Sequence, residues 1–146
     1  MLVIGYGNPM RSDDGVAGVV LRRLEEHHIP NLTLKSVHQL HLELLEEACG
    51  HDGVILVDAC ETGEDVSFEK VGVDPSAGMA SSHHLSPQLF LHLARIIYNR
   101  TFPLYLCSIR GESFEMGETL SPRVLARVDE AVALIKKFIV EGPPDA

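Results

Sequence analysis

Three places in this chain bring together side chains that could share a cation. Asp13 and Asp14 follow the loop Gly5-Tyr6-Gly7-Asn8-Pro9, Asp58 ends the apolar run Val54-Ile55-Leu56-Val57, and His83 and His84 close the stretch Ser81-Ser82-His83-His84 before a helix. Two carboxylates and one imidazole form an oxygen and nitrogen donor set with open positions, compatible with nickel, zinc or iron and poor for soft copper(I). Spacing alone does not choose among these metals. Each residue also has a plainer role. Both aspartates can serve as helix caps, Asp58 can accept bonds from loop amides, and a histidine in a polar loop is usually solvated. The adjacency of Asp13 and Asp14 suggests a division in which Asp13 caps the helix and Asp14 points into a crevice.

Other constellations fit less well. Gly5-x-Gly7 invites a dinucleotide reading, but Met10 occupies the place of the third glycine in G-x-G-x-x-G. Asp13 and Asp14 would also set two negative charges against a pyrophosphate where a helix N-terminus should attract anions. His38, His41 and Glu43 cluster at the start of a second helix and could compete for a metal with His83, yet H-x-x-H without an intervening glutamate lacks the zincin pattern. Cys60 lies two residues beyond Asp58 as a conceivable nucleophile, with no base or lowered pKa in view.

The elements that must position these residues follow from periodicity. Met1 to Tyr6 reads as a buried strand broken by glycine and proline, and Val16, Val19, Val20 and Leu24 recur at helical spacing, with Ser12 or Asp13 placed to cap. Leu32 to Val37 alternates as a strand, Leu40, Leu44, Leu45 and Ala48 supply a helix face, and Val54 to Val57 is a run of the kind buried on both sides of a parallel sheet. The strand Val66 to Val73 follows a connection of only seven residues, Ala59 to Asp65, where a parallel return needs about a dozen or more, so it should run antiparallel. A helix is expected from Pro87 to Tyr98 with Leu89, Leu93, Ile96 and Ile97 on its buried face, then a strand from Leu104 to Ile109. Ser121-Pro122 opens a last helix whose stripe is Val124, Val128, Ala131, Ile135 and Phe138. The expectation is one α/β domain over residues 1–146, a three-layer α/β/α sandwich around a mixed five-stranded sheet, with 141–146 as a flexible tail. In open sheets of this kind, ligands collect outside the strands' C-terminal edge where the strand order reverses, and Asp14 and Asp58 meet there if the first and third strands are neighbours.

Bulk properties narrow the function classes. With 12 Lys and Arg against 21 Asp and Glu, the net charge of −9 offers no broad cationic surface for nucleic acid or anionic lipid. Met1 leads straight into Leu2-Val3-Ile4 without the basic and long apolar regions of a signal peptide or membrane span, so a cytoplasmic protein is expected. Three cysteines without a C-x-x-C pair read as free, mostly buried thiols.

The motifs taken together carry more than any one of them. Gly5-Tyr6-Gly7-Asn8, Asp13-Asp14-Gly15-x-x-Gly18, Val57-Asp58-Ala59, Ser82-His83 and Glu112-Ser113-Phe114-Glu115-x-Gly117-Glu118-x-Leu120-Ser121-Pro122 run nearly end to end along the chain. This combination resembles the hydrogenase maturation protease family. The resemblance implies a sheet order 2-1-3-5-4 with strand 4 antiparallel. It implies an endopeptidase that trims the C-terminal extension of a nickel-iron hydrogenase large-subunit precursor, with Asp14, Asp58 and His83 as the catalytic and metal-binding residues. His83 is selected over His84 because the family's ligand follows the Ser/Thr-rich stretch, with Leu85 two residues on. The nickel is expected to be borne by the substrate, with other divalent cations able to substitute. Where many members carry Gly-Gly-Thr, this chain has Val37-His38-Gln39-Leu40-His41-Leu42-Glu43, a variant similar to the branch serving soluble NAD-linked bidirectional hydrogenases. His38 and Glu43 are placed beside the crevice as substrate-contacting residues. The alternative is a nickel-binding maturation chaperone or adaptor that uses the same ligands without cleaving, and a metal-dependent hydrolase of small molecules is a third class.

Overall fold

Apolar side chains that alternate above and below the first and third strands demand cover on both faces, and the helices supply it. The computed structural model describes residues 1–74, 79–81 and 84–142. Strands β1 (Leu2–Tyr6), β2 (Thr33–Val37), β3 (Val54–Cys60), β4 (Val66–Lys70) and β7 (Leu104–Arg110) form one sheet in the order β2-β1-β3-β7-β4. All pairs are parallel except β4 with β7. Counting only the strands of this sheet, the order is the expected 2-1-3-5-4 with the fourth antiparallel. The short connection from β3 forced that reversal, and β7 then inserts between β3 and β4.

Helices α1 (Val16–Glu26) and α4 (Pro122–Glu141) cover one face, where Val3, Ile55, Val57, Cys107 and Ile109 meet Val20, Leu24, Val128 and Ile135. On the other face α2 (Leu44–Cys49) and α3 (Pro87–Tyr98) cover Leu2, Ile4, Val54, Leu56 and Leu104. Period-two alternation thus assigns each side chain of β1 and β3 to one of two cores. None of the described helices is long and apolar enough to cross a membrane.

Several details depart from the periodic reading. In α3 the buried side chains are Phe90, Leu91 and Ala94, whereas Ile96 and Ile97 of the expected stripe are 63% and 56% exposed. This helix is apolar on most of its circumference, so helical spacing fits two stripes. The larger side chain decided between them, because Phe90 packs edge-on against Phe102 with ring centroids 6.5 Å apart. The second helix begins only at Leu44, so Leu40, His38 and His41 lie in the segment before it and Glu43 stands at its N-cap position. A short antiparallel pair, β5 (Met79–Ser81) with β6 (His84–Leu85), occupies part of what reads as loop, since so brief a pair leaves no periodic signature. Pro122 begins α4 after Ser121, as expected, but the Ser121 side chain makes no capping bond to that helix.

The two faces of α3 give a direct stability contrast. Phe90→Ala is expected to cost about 3–5 kcal/mol by opening a cavity, and Ile97→Gln to stay within about 0.5 kcal/mol. Urea denaturation of both variants reads the difference, and equal costs would contradict this assignment of the buried face.

Candidate active site

The sheet's C-terminal edge builds a polar row by continuing its apolar rows. Ile4, Leu56 and Leu106 lie side by side on the α2/α3 face, and two residues later the same face carries Tyr6, Asp58 and Ser108. The Tyr6 hydroxyl donates to Asp58 Oδ2 at 3.2 Å, and the Ser108 hydroxyl donates to Oδ1 at 2.8 Å. Burial pushes the Asp58 carboxyl from its ordinary 3.8 up to about 6; the bonds from Ser108 and Tyr6 pull it down, and the charge of Asp14 adds to the rise. Burial first, then the charge and hydrogen bond of Asp58, raise the Tyr6 phenol far above neutrality, so it remains a donor.

Asp14 reaches the same edge from the loop after β1. Its Oδ2 accepts from the Asn8 amide at 2.7 Å. The loop closes so tightly that a Cβ on Gly7 (φ +147°) would fall 2.0 Å from the Asp14 carbonyl oxygen, so glycine is required there. Asp14 lines a crevice of about 340 Å³ with Tyr6, Arg22, His38, Glu118 and Leu120. Asp58 is not among the residues that line this crevice; it stands across the boundary of β1 and β3, where the strand order reverses, and the charge of Asp14 reaches it as the smallest of the influences on its carboxyl. His83 lies outside the described residues. Among the described residues no three His, Cys, Asp or Glu side chains form a metal-binding group. The two carboxylates are hard oxygen donors of the kind that divalent cations accept, and on their own they make an incomplete shell.

Asp13 does not cap its own helix. The turn Ser12–Gly15 and α1 both start without a side-chain capping bond, and Asp13 is 0% exposed. Its Oδ2 accepts from the Glu112 and Ser113 amides at 2.7 and 2.8 Å and from the Ser121 hydroxyl at 2.8 Å, and its Oδ1 accepts from the Ser121 amide at 2.8 Å. Burial by itself would raise this carboxyl, but the bonds from Ser121, Ser113 and Glu112 outweigh it and hold the pKa below the ordinary value. Further bonds fasten the same two loops, from the Ser12 amide to the Gly117 carbonyl at 2.8 Å and from the Ser12 hydroxyl to the Glu115 carbonyl at 2.7 Å. Gly111 permits the approach, since a Cβ there would lie 2.9 Å from Asp13 Cβ.

The two expected substrate-contacting residues occupy different hollows. His38 is exposed and lines the Asp14 crevice, whereas Glu43 and His41 line a second, more apolar hollow with Leu42, Leu85, Leu89 and Leu93. Cys60 is a poor nucleophile: burial and the Asp58 charge raise its thiol, and Arg110 and Arg127 only partly offset them. Sequence reasoning missed Tyr6, Ser108 and Glu118, and it missed Arg127, which is 6% exposed. Arg127 donates to the Arg110 carbonyl at 2.6 Å and to Glu112 at 3.0 Å, and pairs with Asp65 at 3.2 Å. A signal for Arg127 existed, because a charge stands within the apolar stripe of α4. Tyr6 and Ser108 become recognisable only once the register sets them beside Asp58.

Opposite pH behaviour is expected of buried Asp13 and half-buried Asp58. Asp13 has a lowered pKa, so its contribution is present above the ordinary carboxylate value and is lost as pH falls through the folded value. Asp13→Asn turns an amide donor toward donors and should cost about 2–4 kcal/mol at neutral pH. Asp58 has a raised pKa, so the stability of its protonated form is full below the ordinary 3.8 and is lost as pH rises through about 6. Asp58→Asn should therefore stabilise the protein by about 1–2 kcal/mol at pH 7 to 8, a gain that fades toward pH 4. Thermal unfolding across pH checks both signs, and an Asp58→Asn variant less stable than the parent at pH 8 would contradict the account.

No family model matches the chain, and no curated protein matches it in sequence. Solved structures do match. The hydrogenase maturating endopeptidase HybD from E. coli is 22% identical, with 97% of this chain and 93% of that chain covered and a TM-score of 0.78. The [NiFe] hydrogenase maturation protease HybD from Thermococcus kodakarensis is 21% identical over 94% of this chain and 97% of its own, with a TM-score of 0.74. A hydrogenase 2 maturation peptidase from Thaumarchaeota archaeon SCGC_AB-539-E09 is 22% identical over 94% and 96%, with a TM-score of 0.70. Nearly end to end, this chain has the fold of the hydrogenase maturation endopeptidases.

Proposed function

We propose that the protein is an endopeptidase that removes the C-terminal extension of a nickel-iron hydrogenase large-subunit precursor after nickel insertion, and that it works in the cytoplasm. The observation that carries this reading is the fold shared along nearly the whole chain with proteins of that name, with Asp14 and Asp58 placed on either side of the strand-order reversal. Asp14, Asp58 and His83 are the residues offered to the metal, and His38 and Glu43 the residues offered to the precursor. Two carboxylates and one imidazole leave a transition metal short of donors, where a resident catalytic site would carry a firmer nitrogen or sulfur set. Nickel is therefore read as part of the substrate, completing its shell with these side chains only in the assembled complex. Its positive charge would hold both carboxylates ionised and polarise a bound oxygen. Without the ion the Asp58 carboxyl is pushed up to about 6, and the ion's charge would draw it back to the ionised form in which it can ligate. Tyr6 and Ser108 hold that carboxylate in one orientation as it does so.

Incubation with nickel-loaded and nickel-free precursor, scored by mass loss on a gel, tests the reading. Chelator-dialysed protein should cut the loaded precursor and leave the nickel-free form intact. Asp58→Ala should lower the rate by roughly a hundredfold or more with an unchanged circular dichroism spectrum. Efficient cutting of nickel-free precursor would overturn nickel gating, and nickel-dependent binding without mass loss would point to an adaptor.

A further inference from the structure

The sheet has two edges, and they are built differently. On the β4 edge the strand ends in exposed Glu69 and Lys70, charges of the kind that discourage another strand from pairing. On the β2 edge, Thr33–Val37 contains no proline and no bulge, and the amine of its one charged residue, Lys35, is held by Glu47 at 2.6 Å. The bonding direction along β2 is fixed at both ends, because the Thr33 amide donates to the Met1 carbonyl and the Val37 carbonyl accepts from the Gly7 amide. In a parallel ladder the backbone groups of alternate residues point to opposite sides. Thr33, Lys35 and Val37 therefore face β1, and the N–H and C=O groups of Leu34 and Ser36 face outward. Among the described residues no backbone partner meets either pair. This edge also runs into the candidate site, since Ser36, Val37 and His38 form one wall of the crevice that holds Asp14.

We propose that β2 receives an extended segment of the precursor as an added strand, with the backbones of Leu34 and Ser36 as its partners. Strand addition takes its affinity from main-chain hydrogen bonds and tolerates varied side chains, which suits a peptidase that must hold a flexible tail. A segment rising about 3.3 Å per residue along β2 leaves the strand's C-terminal end at the crevice, so pairing here delivers the chain toward Asp14. The proposal rests on the endopeptidase reading for the identity of the occupant.

Backbone amide exchange tests it on the full chain, with nickel-loaded precursor as the probe and labelling times kept shorter than the cleavage time so that the complex is still intact. The expected result is an alternating pattern, in which the Leu34 and Ser36 amides slow by about tenfold or more on adding precursor and those of Thr33, Lys35 and Val37 change little. Protection of all five or of neither outward amide overturns the proposal, as does protection that appears with rising protein concentration alone, which would mark pairing with a second copy. Wild-type cleavage is scored in parallel. Cutting without the alternating protection removes the edge pairing and leaves the endopeptidase reading, and the alternating protection without cutting does the reverse. Ser36→Pro, which removes an outward N–H and leaves the β1 side its partners, should raise KM for precursor by about tenfold with kcat little changed.

Discussion

A single buried carboxylate holds the crevice together. Asp13 gathers the amides of Glu112, Ser113 and Ser121 and the Ser121 hydroxyl, joining the loop after β1 to the one after β7 across about a hundred residues of sequence. A charge so deeply buried is tolerated only because hydrogen-bond donors surround it. Two consequences follow from the one clamp. It sets the backbone of its neighbour, so that Asp14 faces the crevice, and it carries Glu118 and Leu120 to the same crevice from the far end of the chain. Residues from both ends of the sequence thus line the candidate site, together with Ser36, Val37 and His38.

Asp58 obeys the opposite electrostatics. Asp13 gains stability from its ionised form, whereas ionised Asp58 at neutral pH works against the fold, and the negative charge of Asp14 deepens the conflict. A protein selected for stability alone would place a neutral side chain at the end of β3. At this position Tyr6 and Ser108 hold the carboxylate in one orientation, and the charge of Asp14 adds to the cost of ionising it.

Much of this architecture was legible in the residues, and the failures share a cause. The run Val54 to Val57 reads as a strand covered on both faces, and the short connection after β3 pointed to an antiparallel β4. The placement of Asp14 in the turn before α1 and of Asp58 near the end of β3 was legible from the elements alone. The role of Asp13 was not: a capping aspartate and a clamping aspartate look alike until the partner loop is known, and that loop lies at the other end of the chain. Tyr6 and Ser108 depend on register across three strands. In α3, periodicity could not choose between two apolar stripes, and the choice fell to the fit of Phe90 against Phe102. Local pattern carries the elements, and long-range contacts decide which faces and side chains they present.

The central claim is that Asp14 and Asp58 act together on a metal that the precursor brings. X-ray absorption at the nickel edge of loaded precursor, recorded before and after adding the protein, reads this directly. The account predicts that oxygen or nitrogen donors join the nickel shell on complex formation, and that this gain is lost when both aspartates are replaced by asparagine. A nickel shell unchanged by the wild-type protein, at concentrations where binding of the precursor is independently measured, would contradict it.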